Sequence, residues 1–221
     1  MSRPRPSGET RTHILDAALA LIERRGGADV SMAEIGRAAG LSRQAVYLHF
    51  ADRADLLMAL VAHVDERRGL DAEVHKIVGA ADGMTALREL VSLQARMNPG
   101  VWLIARAFDG VRRIDAAAER AWQNRMRRRL EGNRKVIGRL SAEGRLRPGI
   151  DPGVAADLSW TLTSLRVWED LVRERGWSAA RYERTVFAIL AAALTTGGPA
   201  RAAAPANPKA RKVRGIRRGR R

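Results

Sequence analysis

The chain has 221 residues, no cysteine and a formal net charge of +16, and 46% of it is hydrophobic. That length and apolar share suffice for a small unit plus a larger body with its own core. Lacking cysteine excludes disulfides and cysteine-ligated zinc and fits a reducing compartment, while the positive excess favours a polyanion, nucleic acid being the commonest. No apolar run reaches the roughly 20 residues of a membrane span. The polar stretch Met1–Thr10, with Pro4 and Pro6, does not read as a signal peptide. A cytoplasmic protein without a membrane partner is therefore expected, associated with the nucleoid through DNA binding where its polyanion is DNA.

Taken in chain order, almost every segment carries helical periodicity, and no strand alternation stands out. Residues 1–9 read as a flexible arm. Ile14, Leu15, Ala18, Leu19 and Ile22 mark one face of a first helix, which Gly26-Gly27 ends. A second, short helix follows Ser31. Ser31 and Glu34 have capping-box spacing, in which each side chain satisfies the other residue's free amide, and Val30 and Ile35 occupy the hydrophobic-staple positions. Gly40 can take the left-handed conformation that ends this helix without a Cβ penalty. Leu41 plugs the corner, and Ser42 caps a third helix from about Arg43 to Phe50. Two short helices on a tight glycine turn form a helix-turn-helix, whose second helix enters the major groove N-terminal end first.

The chemistry of that third helix suits the task. Arg43 can pair bidentately with guanine and Gln44 with adenine. Tyr47, one turn on, can stack or donate to phosphate. His49 and Arg53 sit where the helix leaves the groove, and contacts there fix register rather than read sequence. Ser31 and the amides at its helix start can hold a further phosphate.

Beyond this motif, Asp52 reads as the N-cap of a fourth helix with Leu56, Leu57, Leu60, Val61 and Val64 inward. Gly69 is a weak breaker that this helix can run past. Met84–Met97 is amphipathic and is expected to stop before Pro99-Gly100, with Val101–Ile114 as a separate apolar stretch. Asp115 to about Glu143 reads as one long helix, with Trp122, Met126, Leu130, Ile137 and Leu140 inward. A break carrying Pro148 and Pro152 follows. Leu158, Leu162, Leu165, Trp168 and Val172 then line one apolar helix. Tyr182, Val186, Ile189, Leu190, Ala193 and Leu194 line another, joined to it through Gly176 and Ser178.

The stretch from Thr10 to about Val64 resembles the DNA-binding domain of the TetR family. The block A-G-L-S-R-Q-A-V-Y-L-H-F followed by A-D-R-A-D-L-L carries the likeness. The segment E-G-R-L-R-P-G-I-D-P-G-V-A-A-D-L and the later R-G-W-S resemble the loops around that family's last two helices. The resemblance implies an all-α protein. A three-helix DNA-binding domain at 10–52, with a connecting helix at 53–69, would precede a helical ligand-binding and dimerisation domain at 70–196. It implies that Ser31, Ser42, Arg43, Gln44, Tyr47, His49 and Arg53 face DNA. It also implies that Leu158, Leu162, Leu165, Val172, Tyr182, Val186, Ile189 and Leu190 build a four-helix dimer interface. The implied function is a homodimeric repressor released from a palindromic duplex operator by a small-molecule effector that the sequence does not name. Four positions depart from the family's habit. Gly36 stands where alanine is frequent, Gln44 where a small residue or proline is, Arg53 where lysine is, and Leu48 where a polar residue is, which removes one phosphate contact.

Other features keep two readings. Trp102, Phe108, Trp122, Trp160 and Trp168 can line an effector pocket or simply fill the core, and Trp168 and Leu165 can instead join the dimer seam. Arg125, Arg127, Arg128 and Arg129 form a solvated face or a second DNA patch. His63 and His75 are isolated and not at metal spacing, so neither a metal nor a cofactor is expected. No glycine-rich phosphate loop or catalytic motif occurs, and no enzymatic activity is expected. The segment from Gly197 onward carries nine cations and no acid, without apolar period. It reads as a disordered tail, either solubilising or a salt-dependent phosphate-binding arm. If that tail dominated, the protein would be a non-specific architectural nucleic-acid binder, the rival to a sequence-reading regulator.

Overall fold

The computed structural model of the protein describes residues 7–27 and 30–196. Helix α1 (Ser7–Arg24) begins inside the stretch read as a flexible arm and ends where Gly26 and Gly27 take positive φ. Helices α2 (Met32–Ala38), α3 (Arg43–Tyr47) and α4 (Arg53–Arg67) follow. Each opens on its expected cap: the side chains of Ser31, Ser42 and Asp52 accept from the amides of Glu34, Ala45 and Asp55. Helix α4 does not run past Gly69. That residue turns left-handed at φ 69°, and a separate amphipathic helix, α5 (Leu70–Val78), starts there.

The main departure from expectation is helix α6 (Gly83–Arg112), which passes straight through Pro99. A proline inside a helix removes one backbone hydrogen bond and crowds the preceding turn. Burial on both sides of the proline outweighs that cost. The N-terminal half of α6 lies in one apolar cluster through Ala86, Leu87, Leu90, Val91 and Ala95. The C-terminal half lies in another through Val101, Ile104, Ala107, Phe108 and Val111, packed with α1, α2, α3 and α4. The Pro99–Gly100 step thus marks the change from one core to the other on a continuous 30-residue helix.

Helix α7 (Ala116–Ala142) is capped by Asp115, as its sequence indicates, and buries Val136, Ile137 and Leu140. The next apolar helix is not continuous. Helix α8 (Pro152–Leu162) stops at Thr163, whose hydroxyl donates back to the Ser159 carbonyl at 2.7 Å. Ser164 then caps a short helix α9 (Leu165–Trp168), which runs into a π-helical segment, Glu169–Glu174. The sequence periodicity spans this break because Leu158, Leu162, Leu165 and Trp168 keep an apolar side throughout. The adjacent Thr163-Ser164 pair, which competes for backbone hydrogen bonds, is the local signal of the break. Gly176 and Ser178 open helix α10 (Ala179–Leu194). Its end pairs with the turn after α7 through Arg147 N–H to Leu194 O (2.8 Å) and Thr196 N–H to Arg145 O (3.0 Å). Among the described residues every regular element is helical, and only one isolated antiparallel bridge, Leu146 with Thr195, occurs. No helix among them is long and apolar enough to cross a membrane. The basic stretch 197–221 lies outside the described residues.

Candidate nucleic-acid interface

The corner between α2 and α3 is over-determined. Leu41 N–H bonds to Gly36 O (2.8 Å) and Gly40 N–H to Arg37 O (3.1 Å), the double closure of a Schellman motif, with Gly40 at φ 67°. A Cβ on Gly36 would sit 3.0 Å from the Leu41 carbonyl oxygen, so the small residue lets the turn fold back on its own helix. From α1, a His13 ring nitrogen donates to the Ala39 carbonyl at 3.0 Å. Ile35, Val46 and Phe50 are buried beneath. These anchors leave α3 one free side, where Ser42, Arg43, Gln44 and Tyr47 are all exposed.

On that side Arg43 Nη2 donates to the Tyr47 hydroxyl at 3.3 Å, and its guanidinium lies 5.4 Å from the ring centroid. A recess of about 500 Å³ runs between α3 and the start of α2, lined by Ser31, Glu34, Arg43, Tyr47 and Arg53. Arg53 is half-buried there, and burial pulls its guanidinium below the usual value. His49 is half-buried, and Leu48 is 82% exposed. Six of the seven residues expected to face DNA, all but His49, therefore lie at this recess or on the free side of α3. The acid in the recess does not float free. Glu34 pairs with Arg25 at 2.7 Å, and its carboxyl is pulled down to about 2 by Arg25 and by the Ser31 amide and hydroxyl.

The residues assigned to a dimer interface divide. Tyr182, Val186 and Leu190 are buried in the protomer's own core, since the inner face of α10 packs on α6 and α8. They support an outer face rather than line it. Leu158 (45% exposed) and Ile189 (49%) do face outward, Leu162, Leu165 and Val172 are half-buried, and Val154 (54%), not singled out from the sequence, joins them.

The five aromatics do not meet in one place either. Phe108 stacks on Trp122 at 5.8 Å beside the α1–α4 core. Trp102 meets Trp168 at 6.3 Å in the other cluster. Trp160 lies under the Arg129 guanidinium.

The basic run on α7 is neither a solvated face nor a continuous patch, because two of its four members turn inward. Arg125 makes a two-pronged ion pair with buried Asp65 of α4, at 2.6 and 3.2 Å. Arg129 donates from Nη2 to the Trp160 carbonyl (2.6 Å) and the Thr163 hydroxyl (2.7 Å), while Arg127 and Arg128 stay exposed. The helical register could have separated these residues, since 125 and 129 are four apart and share a face. His63 is tied to Asp16 at 2.9 Å, with Arg67 on the same carboxylate oxygen at 2.6 Å. Among the described residues no group of His and acidic side chains could hold a metal.

A family model described as bacterial regulatory proteins, tetR family, matches residues 14–60. Over 83 residues the chain is 36% identical to the HTH-type transcriptional regulator AcrR of Shigella flexneri, covering 38% of this chain and 39% of that one. It is 32% identical to the HTH-type transcriptional regulator TtgR of Pseudomonas putida over a stretch of the same length, 38% of this chain and 40% of that one. The match thus spans about two fifths of the length of these curated relatives. The fold reaches further. A putative transcriptional regulator from Saccharomonospora viridis, solved with choline, superposes with a TM-score of 0.71 at 21% identity, over 86% of this chain and 99% of that one. SmeT, the repressor of the Stenotrophomonas maltophilia efflux pump SmeDEF, gives 0.63 at 24%, over 85% and 91%.

Proposed function

We propose, from the match of residues 14–60 to the tetR family model of bacterial regulatory proteins, that this chain is a regulator of that family, a homodimeric, sequence-reading repressor that a small molecule releases from its operator. The observation that carries the reading is the free side of α3. Arg43, Gln44 and Tyr47 stand exposed on a helix whose start is capped and whose back is fixed by Val46. Arg43 and Gln44 read base edges in the major groove. Ser31, Ser42, Tyr47, His49 and Arg53 hold the phosphates on either side and set the register. Leu48, apolar and exposed, makes no phosphate contact.

Two copies join through the outer faces of α8 and α10, where Val154, Leu158 and Ile189 are exposed. A two-fold pair of α3 helices then meets successive major grooves of a pseudo-palindromic site. The unit formed by residues 10–69 carries the DNA contacts and residues 70–196 the effector site and the dimer face. Effector and operator weaken each other reciprocally, because each favours a different spacing of the two α3 helices.

Fluorescence anisotropy on duplex from the protein's own upstream region, against scrambled duplex and across a salt series, tests this. The expected preference is on the order of 10³-fold or more at physiological salt, lost largely in Arg43→Ala. Equal, steeply salt-dependent binding to both duplexes would point instead to a non-specific phosphate binder, and truncation after residue 196 would then remove most of the affinity.

A further inference from the structure

Arg129 is a cation packed into the helical body whose hydrogen-bond partners are neutral. Its Nη2 donates to the Trp160 carbonyl and the Thr163 hydroxyl, its guanidinium lies 5.1 Å from the Trp160 ring centroid, and no carboxylate among the described residues pairs with it. Burial brings the guanidinium down to about 10, a pull that the nearby Tyr182 hydroxyl opposes and Arg125 adds to. A cation disfavoured in this way costs folding stability until an anion joins it.

The surroundings share the same deficit. The indole N–H groups of Trp102, Trp160 and Trp168 are all buried without an acceptor. Trp102 and Trp168 are ring neighbours, and Arg173 of the π-helical segment stands 4.5 Å from the Trp102 ring centroid. Thr163, which Arg129 touches, ends α8, so the cation and the unmatched Trp160 indole stand together at the end of that helix. Proteins leave few buried donors unmatched. An unmatched indole N–H beneath a guanidinium that no carboxylate among the described residues pairs with is complementary to a negatively charged acceptor.

We infer that the end of α8 binds an organic anion, a carboxylate borne on an apolar body, with Arg129 as its counter-charge and Trp160 beside its apolar part. The inference rests on the reading of residues 70–196 as an effector domain and names the chemical class of the effector. Apolar area supplies most of the affinity, while the head group decides selectivity. The competing explanation is structural: Arg129 caps the last carbonyls of α8, as cations do at helix C-termini.

Calorimetric titration of the full-length protein without DNA separates the two, using octanoate, octanamide and octylamine as probes. Octanoate is expected to bind about tenfold or more tighter than octylamine, with octanamide between, as one charge-assisted hydrogen bond implies. Arg129→Gln should weaken octanoate by about tenfold and leave octanamide within about twofold, while Arg129→Lys keeps part of the preference for the anion. Equal affinities, a preference for the amine, no binding of any probe, or a uniform loss in Arg129→Gln would each overturn the inference. The ligand-free Arg129→Met variant provides a second readout. Its melting temperature should match the parent's or exceed it, and a fall of more than about 5 °C would establish the capping role instead. A protein that reads its operator yet binds none of the probes loses the anion site and keeps the DNA-binding function. One that binds octanoate but no operator does the reverse.

Discussion

Arg68 occupies the space that a side chain on Gly100 would need. A Cβ at position 100 would sit 2.8 Å from Arg68 Cδ and closer still to its Nε, and Arg68 Nη1 donates to the Arg96 carbonyl at 3.2 Å. The residue that follows α4 is thereby keyed into α6 at the Pro99–Gly100 step, between the two cores.

Gly100→Ala should expel Arg68 from that notch. Losing its hydrogen bond costs about 0.5–1.5 kcal/mol, and replacing a helical glycine with alanine returns about 0.5–1 kcal/mol. The two nearly cancel, so urea unfolding should shift by less than about 1 kcal/mol. Amide exchange at the end of α4, residues 66–69, should quicken all the same. Unchanged exchange there would mean that Arg68 does not couple the two helices.

Asp65 and Arg125 join α4 to α7 through two hydrogen bonds, and Asp65 is buried. Asp65→Asn leaves the arginine unpaired. Breaking a fully buried pair costs about 3–5 kcal/mol, and because Arg125 is partly solvated about 2 kcal/mol is expected here. The double variant Asp65→Leu with Arg125→Met should recover most of the loss, since apolar packing replaces such pairs well. Chemical denaturation of the three proteins gives the comparison, and a double variant no better than the single one would locate the stabilisation outside the ion pair.

Glu34 predicts a pH dependence. Its carboxyl stands at about 2 in the folded chain against an ordinary 4.5, so the unfolded chain binds that proton more readily. The contribution of Glu34 is fully present above about pH 4.5 and is lost as pH falls from there toward 2. The stability gap between the parent and Glu34→Gln should therefore be constant near neutrality and close progressively in acid. A gap indifferent to pH over that window would show that the pairing with Arg25 and Ser31 does not persist in solution.

Neighbouring residues of α10 should behave oppositely. Ile189 is half-exposed and Leu190 fully buried. Ile189→Glu is expected to turn dimer into folded monomer in sedimentation velocity, with helical content kept. Leu190→Ala should leave the association alone and cost about 2–5 kcal/mol of stability through the cavity it creates. Persistence of a dimer in Ile189→Glu would remove α10 from the interface.

The corner of α2 and α3 and the start of α4 were legible residue by residue because their determinants are local. Ser31 with Glu34, Gly40, Ser42 and Asp52 each act within about one helical turn of their own position, and each behaves in the structure as its spacing indicates. The tail's role rests on residues beyond those described. The helical body was legible only as periodicity, and periodicity reports which side of a helix is apolar, not what covers it. That is why Tyr182, Val186 and Leu190 looked like interface residues alongside Ile189, and why Arg129 looked like one more solvated arginine.

What the sequence alone determined is the all-helical class, the capped corner of α2 and α3 and the side chains on its free side, since short-range hydrogen bonds and the left-handed turn need no distant partner. What only tertiary structure decided is the passage of α6 through Pro99 and the inward turn of Arg125 and Arg129. There the free energy comes from burial and pairing between residues such as Asp65 and Arg125, 60 positions apart, and local propensity loses to it.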